Sequence, residues 1–442
     1  LKLALKGSMR NHLRSGVAPR EVVAWAFLDF ANSGYTTVVL TAVYSAYFVG
    51  VIAGAAPWAT LLWTVTVSGA SLLTMLALPS LGMWADRRGG KRPIIFWASL
   101  LCGLSTAALA FVDSSVLWMA VALLALSSLA FNLCETFTAA FLRELAIPSA
   151  YGRVSGWGWS FGYLGGMLTL GLSLAWVLQA KAQGQSASQF VPVTLWIVAL
   201  IYVGVSLPAL AVLRERQQVE GGQSAASWEG GWLRLRASWR RTAELVDLRR
   251  LLACCVAYQA GIFVVITLAA VYAEQVMGFQ QTETMLLIFL VNIAAALGAF
   301  FFGRIQDRIG DRRALAITLV SWIFMVAIAV LGQSREAFWL AATLAGLNMG
   351  SSQSAGRAMV AQLAPLGRQS EIFALWGFAL RLAAILGPVL YGLIVWLTDG
   401  QQRLALACVG LFFALALWLL SRIEMQRGVH AAMAIESFRE KF

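Results

Sequence analysis

Twelve stretches of roughly 20 mostly apolar residues follow one another along this chain, and a helix needs about that many to cross the hydrocarbon of a bilayer. A soluble fold could bury them only behind a charged surface, and the chain has none to give. Of its 442 residues 60% are hydrophobic and only 12% are Asp, Glu, Lys or Arg, against roughly 25% charged in an ordinary soluble domain. The outside of the fold must therefore be lipid.

Apolar runs and the turn signals between them predict helices over 22–50, 58–82, 94–112, 115–141, 153–179 and 191–213. A second set is predicted over 251–277, 283–303, 314–332, 337–363, 370–397 and 403–422. The long polar stretch 214–250, rich in Gly, Ser, Arg and Glu, reads as a linker. The expected organisation is a segment 1–21, a six-helix bundle 22–213, the linker 214–250, a second six-helix bundle 251–422 and a tail 423–442. The first apolar stretch carries Asp29 and Asn32 and has no small-residue cleavage site behind it, so it reads as a retained span. Leu1 is an unusual first residue, and Met9 is a candidate native start for a chain in which Leu1–Ser8 are extraneous.

Lys and Arg set the orientation, because they accumulate on the cytoplasmic side of short loops. The segments on the side of the N-terminus hold 28 of them, and the opposite loops hold three, Lys181, Arg335 and Arg403. Both termini are expected in the cytoplasm, and the membrane is read as a bacterial inner membrane. The net charge of +12 is then a topology signal and not the footprint of a nucleic acid. Cys102, Cys134, Cys254, Cys255 and Cys408 all lie in apolar runs and read as buried free thiols. The two histidines, His12 and His430, fall in the tails, which disfavours a haem or imidazole-ligated metal within the bilayer. No cofactor and no metal are expected.

The segment after the second helix reads Gly82-Met-Trp-Ala-Asp86-Arg87-Arg88-Gly89-Gly90-Lys91-Arg92, and that after the eighth reads Gly303-Arg-Ile-Gln-Asp307-Arg308-Ile-Gly310-Asp-Arg312-Arg313. The Gly, Asp, Arg, Gly and paired basic residues recur without a gap 221 positions later. One copy could be a basic turn. Two, each after the second helix of a half, indicate internal duplication. A fainter echo is Gly152-Arg153 after the fourth helix against Gly367-Arg368 after the tenth.

These two segments resemble the signature loop of the major facilitator superfamily. The resemblance implies an all-α membrane protein of twelve transmembrane helices in two pseudo-symmetric six-helix bundles. It also implies that Asp86 and Asp307, with Arg87 and Arg308, latch the cytoplasmic ends of the halves together. Glycine would end the helix and permit the turn, while the basic residues would anchor at headgroups. The first helix reads Trp25-Ala-Phe-Leu-Asp29-Phe-Ala31-Asn32-Ser33, which resembles the opening of the autophagy-related vacuolar amino-acid effluxers and their bacterial relatives. So do Ser155-Gly156-Trp-Gly158-Trp-Ser-Phe-Gly162-Tyr163, Gln353-Ser-Ala-Gly356-Arg357, Glu371-Ile-Phe373 and Gly387-Pro388, although Gly356 stands where Ser is expected. This likeness implies a transporter and suggests amino-acid export.

Charges inside a bilayer are expensive, about 2.5–3.5 kcal/mol each at the centre on insertion scales. The spans hold Asp29, Glu135, Arg357 and Arg381, with Glu274 and Glu371 nearer helix ends. Asp29 shares a helical face with Asn32, Ser33 and Thr36, Glu135 with Asn132 and Ser128, and Arg357 with Gly346, Gly350 and Gln353. Each stripe should face a cavity or a partner helix. The plainer reading is that these charges pair and fix packing. The functional reading is a substrate and proton site, in which carboxylates of one half and arginines of the other hold the two ends of an amino acid. The four are expected to converge on one water-accessible cavity.

Gly152, Gly156, Gly158, Gly162 and Gly166 form small-residue faces for close helix packing. Trp157, Trp159 and Trp376 are candidates to line the cavity, and Gly387-Pro388 to kink the eleventh helix. A nucleotide-driven pump lacks its phosphate loop, since Arg92 follows Gly90-Lys91 where Ser or Thr is required, and no hydrolase spacing suggests an enzyme. The expectation is a monomeric alternating-access carrier of a small solute, amino acids or short peptides first, coupled to protons. Proton-coupled efflux of amphipathic drugs and a non-transporting sensor on the same fold stand as alternatives.

Overall fold

The computed structural model describes residues 10–54, 56, 58–88, 90–216, 231–332 and 334–439. The side chains of 231–235, 268–271, 274, 275, 281, 282, 285 and 436–439 lie outside the description. Gly89, Leu1–Ser8 and the Glu274 side chain are therefore not placed. The described chain is helical but for one isolated antiparallel bridge between Leu13 and Ala146. In lipid this is the economical solution, because a helix satisfies every backbone group within its own segment.

The spans are α1 (Pro19–Tyr35, continuing to Ile52), α2 (Ala59–Arg88), α3 (Lys91–Ala108), α4 (Leu117–Ala140), α5 (Tyr151–Ala182) and α6 (Ala187–Val212). They are followed by α7 (Val246–Gln275), α8 (Gln281–Ile309), α9 (Asp311–Leu331), α10 (Arg335–Leu363), α11 (Gln369–Leu397) and α12 (Gln402–Ser421). A short linker helix, Gly231–Arg241, and a tail helix, Met425–Arg439, complete the set. Among the described residues, eleven of the twelve spans are long and apolar enough to cross a membrane. The other, α10, is as long at 29 residues, but Asn348, Ser351, Ser352, Gln353, Ser354 and Arg357 interrupt its apolar sequence. Large apolar side chains on the outer surface stay exposed, such as Phe324 at 63%, Leu200 at 67% and Leu411 at 68%. That is the surface a bilayer would cover.

The helices overrun the apolar runs that announce them. α2 continues through Arg88 and α8 through Ile309, so Asp86, Arg87, Asp307 and Arg308 sit on the last helical turns, not in loops. Gly82 and Gly303 consequently do not end their helices, contrary to the expectation from sequence. They permit close approach between the halves. A Cβ on Gly82 would lie 2.7 Å from the Ser370 carbonyl oxygen, and one on Gly303 would lie 2.5 Å from that of Gly152. The turn belongs to Gly310, whose φ of 90° suits glycine.

The outer part of α1 is also irregular. Over Thr36–Ala42 and Phe48–Ile52 the backbone bonds widen to five residues, with Val43 N–H donating to the Val38 carbonyl at 2.9 Å and Ala53 N–H to Phe48 at 2.8 Å. Such wide turns often sit at functional sites.

The two bundles meet chiefly where α5 packs on α8 and α2 on α11. The glycine faces of α5 divide between two neighbours. Gly156 touches α8, where a Cβ would stand 2.3 Å from the Ala299 carbonyl, and Gly165 touches α1 at the Phe30 carbonyl. Gly346 and Gly350 pack against α8 at Val291 and Ala295, so only Gln353 and Arg357 of that α10 stripe reach the cavity. The free cysteines are as expected, four buried and Cys408 partly so.

Candidate functional site

A cavity of about 1200 Å³ lies between the bundles. Its far end is rimmed by Tyr47, Lys181, Phe190, Tyr272 and Phe338, on the side where the sequence is poor in basic residues. Its floor carries Asp29, Glu135, Arg357 and Arg381 together with Asn32, Asn132 and Gln353. Trp159 and Trp376 line it as well, whereas Trp157 turns away and meets the His12 ring edge-on at 6.4 Å. Arg381 arrives from α11.

The four charges form two pairs, each spanning the halves. Arg357 of α10 donates from Nη1 to Asp29 Oδ2 of α1 at 2.7 Å. Its Nε reaches Ser155 Oγ at 3.1 Å and its Nη2 the Ser155 carbonyl at 2.8 Å, both on α5. The guanidinium lies 4.6 Å from the Trp25 ring and 5.3 Å from that of Trp159, close enough for cation–π attraction. Trp25 is fixed in turn by its indole N–H on the Thr138 carbonyl at 2.7 Å. In the second pair Arg381 Nη2 donates to Glu135 Oε2 of α4. Among the polar neighbours, Asn32 Oδ1 accepts from Tyr202 at 2.6 Å and Asn132 Nδ2 donates to Thr74 at 3.3 Å.

Below this floor the basic face is shut. Asp86 Oδ1 and Oδ2 accept from the backbone N–H groups of Ser370 and Glu371 at 2.9 and 2.8 Å. A carboxylate at the C-terminal end of α2 is poorly placed for its own helix dipole. Here it sits on the N-terminus of α11, where unpaired amides and the dipole favour it. The second copy repeats the device: Asp307 accepts from the Arg153 N–H at 3.3 Å, at the start of α5, and faces Arg153 Nε at 3.5 Å. Ser155 Oγ donates to the Ser354 carbonyl at 2.9 Å across the same seam.

Arg87 and Arg308 are exposed and make no hydrogen bond within the described residues, so the carboxylates close the seam without them. Lys91 also departs from expectation. It is fully buried, pairs with Glu144 and lies over Phe141 instead of facing headgroups. Arg312 donates to the Ser421 carbonyl at 2.9 Å. Glu371 bonds Arg368 at 2.8 Å on the helix end and stays out of the cavity.

Sequence reasoning passes over several participants. Ser155 and Trp25 are ordinary residue types whose role follows only from packing. Glu215 accepts from Lys91 N–H and Arg92 N–H at 3.1 and 3.2 Å, and Arg216 grips Glu21 through two bonds of 2.7 Å, tying the start of the linker to the first bundle. His12 bonds Arg153, next to Asp307. Burial first, then Arg153 and Arg304, hold its imidazole below the usual histidine range. The repeated Gly-Arg pair at 152–153 and 367–368 is the signal that points to this corner. Among the described residues no cluster of His, Cys, Asp and Glu suits a metal.

The family described as vacuole effluxer Atg22 like matches residues 59–433 of this chain. An uncharacterised MFS-type transporter of Bacillus subtilis, YxiO, is 24% identical over 396 residues, covering 88% of this chain and 91% of that protein. Autophagy-related protein 22-1 of Aspergillus fumigatus is 27% identical over 320 residues, 66% of this chain but only 51% of its own length. Among solved structures, the human organic anion transporter MFSD10 superposes with a TM-score of 0.73 at 18% identity, over 91% of this chain and 99% of that one. With the duplicated carboxylate seams and the twelve spans in place, the chain is a multi-pass major facilitator superfamily protein that belongs to the vacuole effluxer Atg22-like family.

Proposed function

We propose that this protein is a secondary transporter that carries a small solute, amino acids or short peptides first, by alternating access, and that it works as an exporter coupled to protons. The observation that carries the reading is one cavity, shut at the basic face and reaching the other, whose floor holds two charge pairs with one member in each bundle. A zwitterion offers an ammonium and a carboxylate, and the floor offers both complements. A proton carried on the floor of the cavity would weaken an ion pair there and so link proton movement to the reorganisation between the halves. The 28-to-three distribution of Lys and Arg supports a cytoplasmic shut face in a cell inner membrane, and on that reading the conformation described is outward-facing. The protein is proposed to act as a monomer, without catalysis of its own.

The test is transport in proteoliposomes. Labelled amino acids and dipeptides should be exchanged saturably, and an imposed pH gradient should raise the rate. Saturable movement that ignores the gradient would remove the proton from the scheme. A second reading, efflux of amphipathic drug-like compounds, draws on the apolar upper wall of the cavity, formed by residues such as Leu40, Val67, Leu170, Leu174 and Phe263. Transport of apolar cations with no amino-acid exchange would favour it.

A further inference from the structure

Resting on the amino-acid reading above, we propose that the two ion pairs divide the labour: Arg381 takes the carboxylate of the solute and Glu135 its ammonium, while Arg357–Asp29 is a fixed cross-tie that binds no solute.

The two arginines differ in what they have left to give. A guanidinium carries five N–H donors in a rigid fork. Arg357 commits all three of its nitrogens, to Asp29, to Ser155 Oγ and to the Ser155 carbonyl, and both ring faces beside it are aromatic. Only 2% of it is exposed, and a Cβ on Gly158 would stand 2.5 Å from its Nη2. The three bonds and the two indole rings leave little of it to a ligand oxygen. Arg381 is also buried, at 8%, yet among the described residues its one hydrogen-bond partner is Glu135, and its Nε is buried with no acceptor at all. A charged donor left unpaired in a low-dielectric site is costly, and it lies on a residue that lines the cavity. A carboxylate is the ligand group that answers such a fork with two parallel bonds.

The acids differ in the same direction. The Glu135 side chain is 26% exposed and that of Asp29 11%. Asp29 faces Arg357 beneath Gly158, where a Cβ would be 2.5 Å from its Oδ2. Glu135 stands in the open part of the floor beside Ser128 and Asn132 on the same helix face, and it has an oxygen to spare for an ammonium. Phe131 (its ring 5.8 Å from the Arg381 guanidinium), Leu380 and Trp376 offer apolar surface for a side chain next to this pair.

The full-length protein, purified in detergent, can be titrated with phenylalanine, phenylalaninamide, phenethylamine and 3-phenylpropionate, with the ligand-induced rise in melting temperature as the readout. Phenylalanine should bind, and the amide and the amine should bind at least about tenfold more weakly, since each lacks the group that pairs the fork. Arg381→Gln should abolish the preference for acid over amide, and Arg381→Lys should keep part of it. Arg357→Gln should lower the melting temperature and leave the preference unchanged. Should that variant not fold, Ser155→Ala loosens Arg357 by one bond and serves the same purpose. Retention of the acid preference in Arg381→Gln, or its loss in the Arg357 or Ser155 variant, would overturn the assignment. A wild type that binds phenethylamine as tightly as phenylalanine overturns the carboxylate role and leaves a transporter of other solutes standing. A wild type that neither binds nor exchanges any of the four overturns the amino-acid reading itself.

Discussion

Arg357 shows what an arginine becomes when each of its three nitrogens is bonded: a bolt through three helices, α10 to α1 and α5. Removing one member of a buried pair strands the other charge, at a cost of about 3–5 kcal/mol. Arg357→Gln and Asp29→Asn should each lower stability by that order, measured by unfolding in detergent, and the double variant should cost less than the sum because neither charge is then stranded. A sum that is simply additive would mean that the pair is not a unit. His12 offers a different residue-scale test. Its ring bonds Arg153, and burial first, then Arg153 and Arg304, disfavour its charged form. The unfolded value lies near 6.5 and the folded value below it, so the unfolded chain binds the proton more readily. The stabilisation is then complete above about pH 6.5 and is lost as the pH falls through the folded value. Melting temperature should drop between pH 7 and pH 5 in the wild type and drop less in His12→Gln.

Among the elements, α2 and α8 are the proposed carriers of the gate. A side chain at Gly82 or Gly303 would collide with backbone of the opposite half. Gly303→Val should therefore prevent closure of the basic face and slow exchange by at least about tenfold, while cysteines placed on the basic side of the seam become more reactive to soluble thiol reagents. Exchange at the wild-type rate would show that the seam opens and closes without that contact. The ends of these helices also show where the sequence is legible and where it is not. The apolar runs mark the hydrocarbon, and they place the spans well. They do not mark the helix termini, because a polar turn such as Met83–Arg88 stays helical once Asp86 finds partners across the seam. The four intramembrane charges are conspicuous in the sequence, since lipid makes each of them expensive. Which acid meets which arginine is not, because it depends on the rotation of four helices, and the role of Ser155 or Trp25 is hidden for the same reason. His12 reads as a tail residue until the fold returns the N-terminal segment beneath α5, where Ile147 N–H donates to its carbonyl at 3.1 Å.

For the whole molecule, sidedness is the prediction that the rest leans on. Single cysteines at Lys181 and in the linker at Arg240 should label from opposite sides of intact cells, the first from outside. Labelling of both from one side would contradict an even number of crossings. The duplicated seam has a further consequence for anyone comparing relatives of this chain. Asp86 and Asp307 are answered by backbone amides, and an amide is supplied by every residue type but one. Substitutions at 370 or 371 therefore leave no compensating trace at 86 through these bonds, and a search for co-varying pairs will pass over them, whereas Asp307 also faces the Arg153 side chain at 3.5 Å. Proline alone removes the donor, and near the first turn of a helix it does so without breaking the helix. Ser370→Pro should thus act as a silent cut: α11 intact, expression near normal, and the basic face held open more often than in the wild type, visible as faster labelling of cysteines beneath the seam.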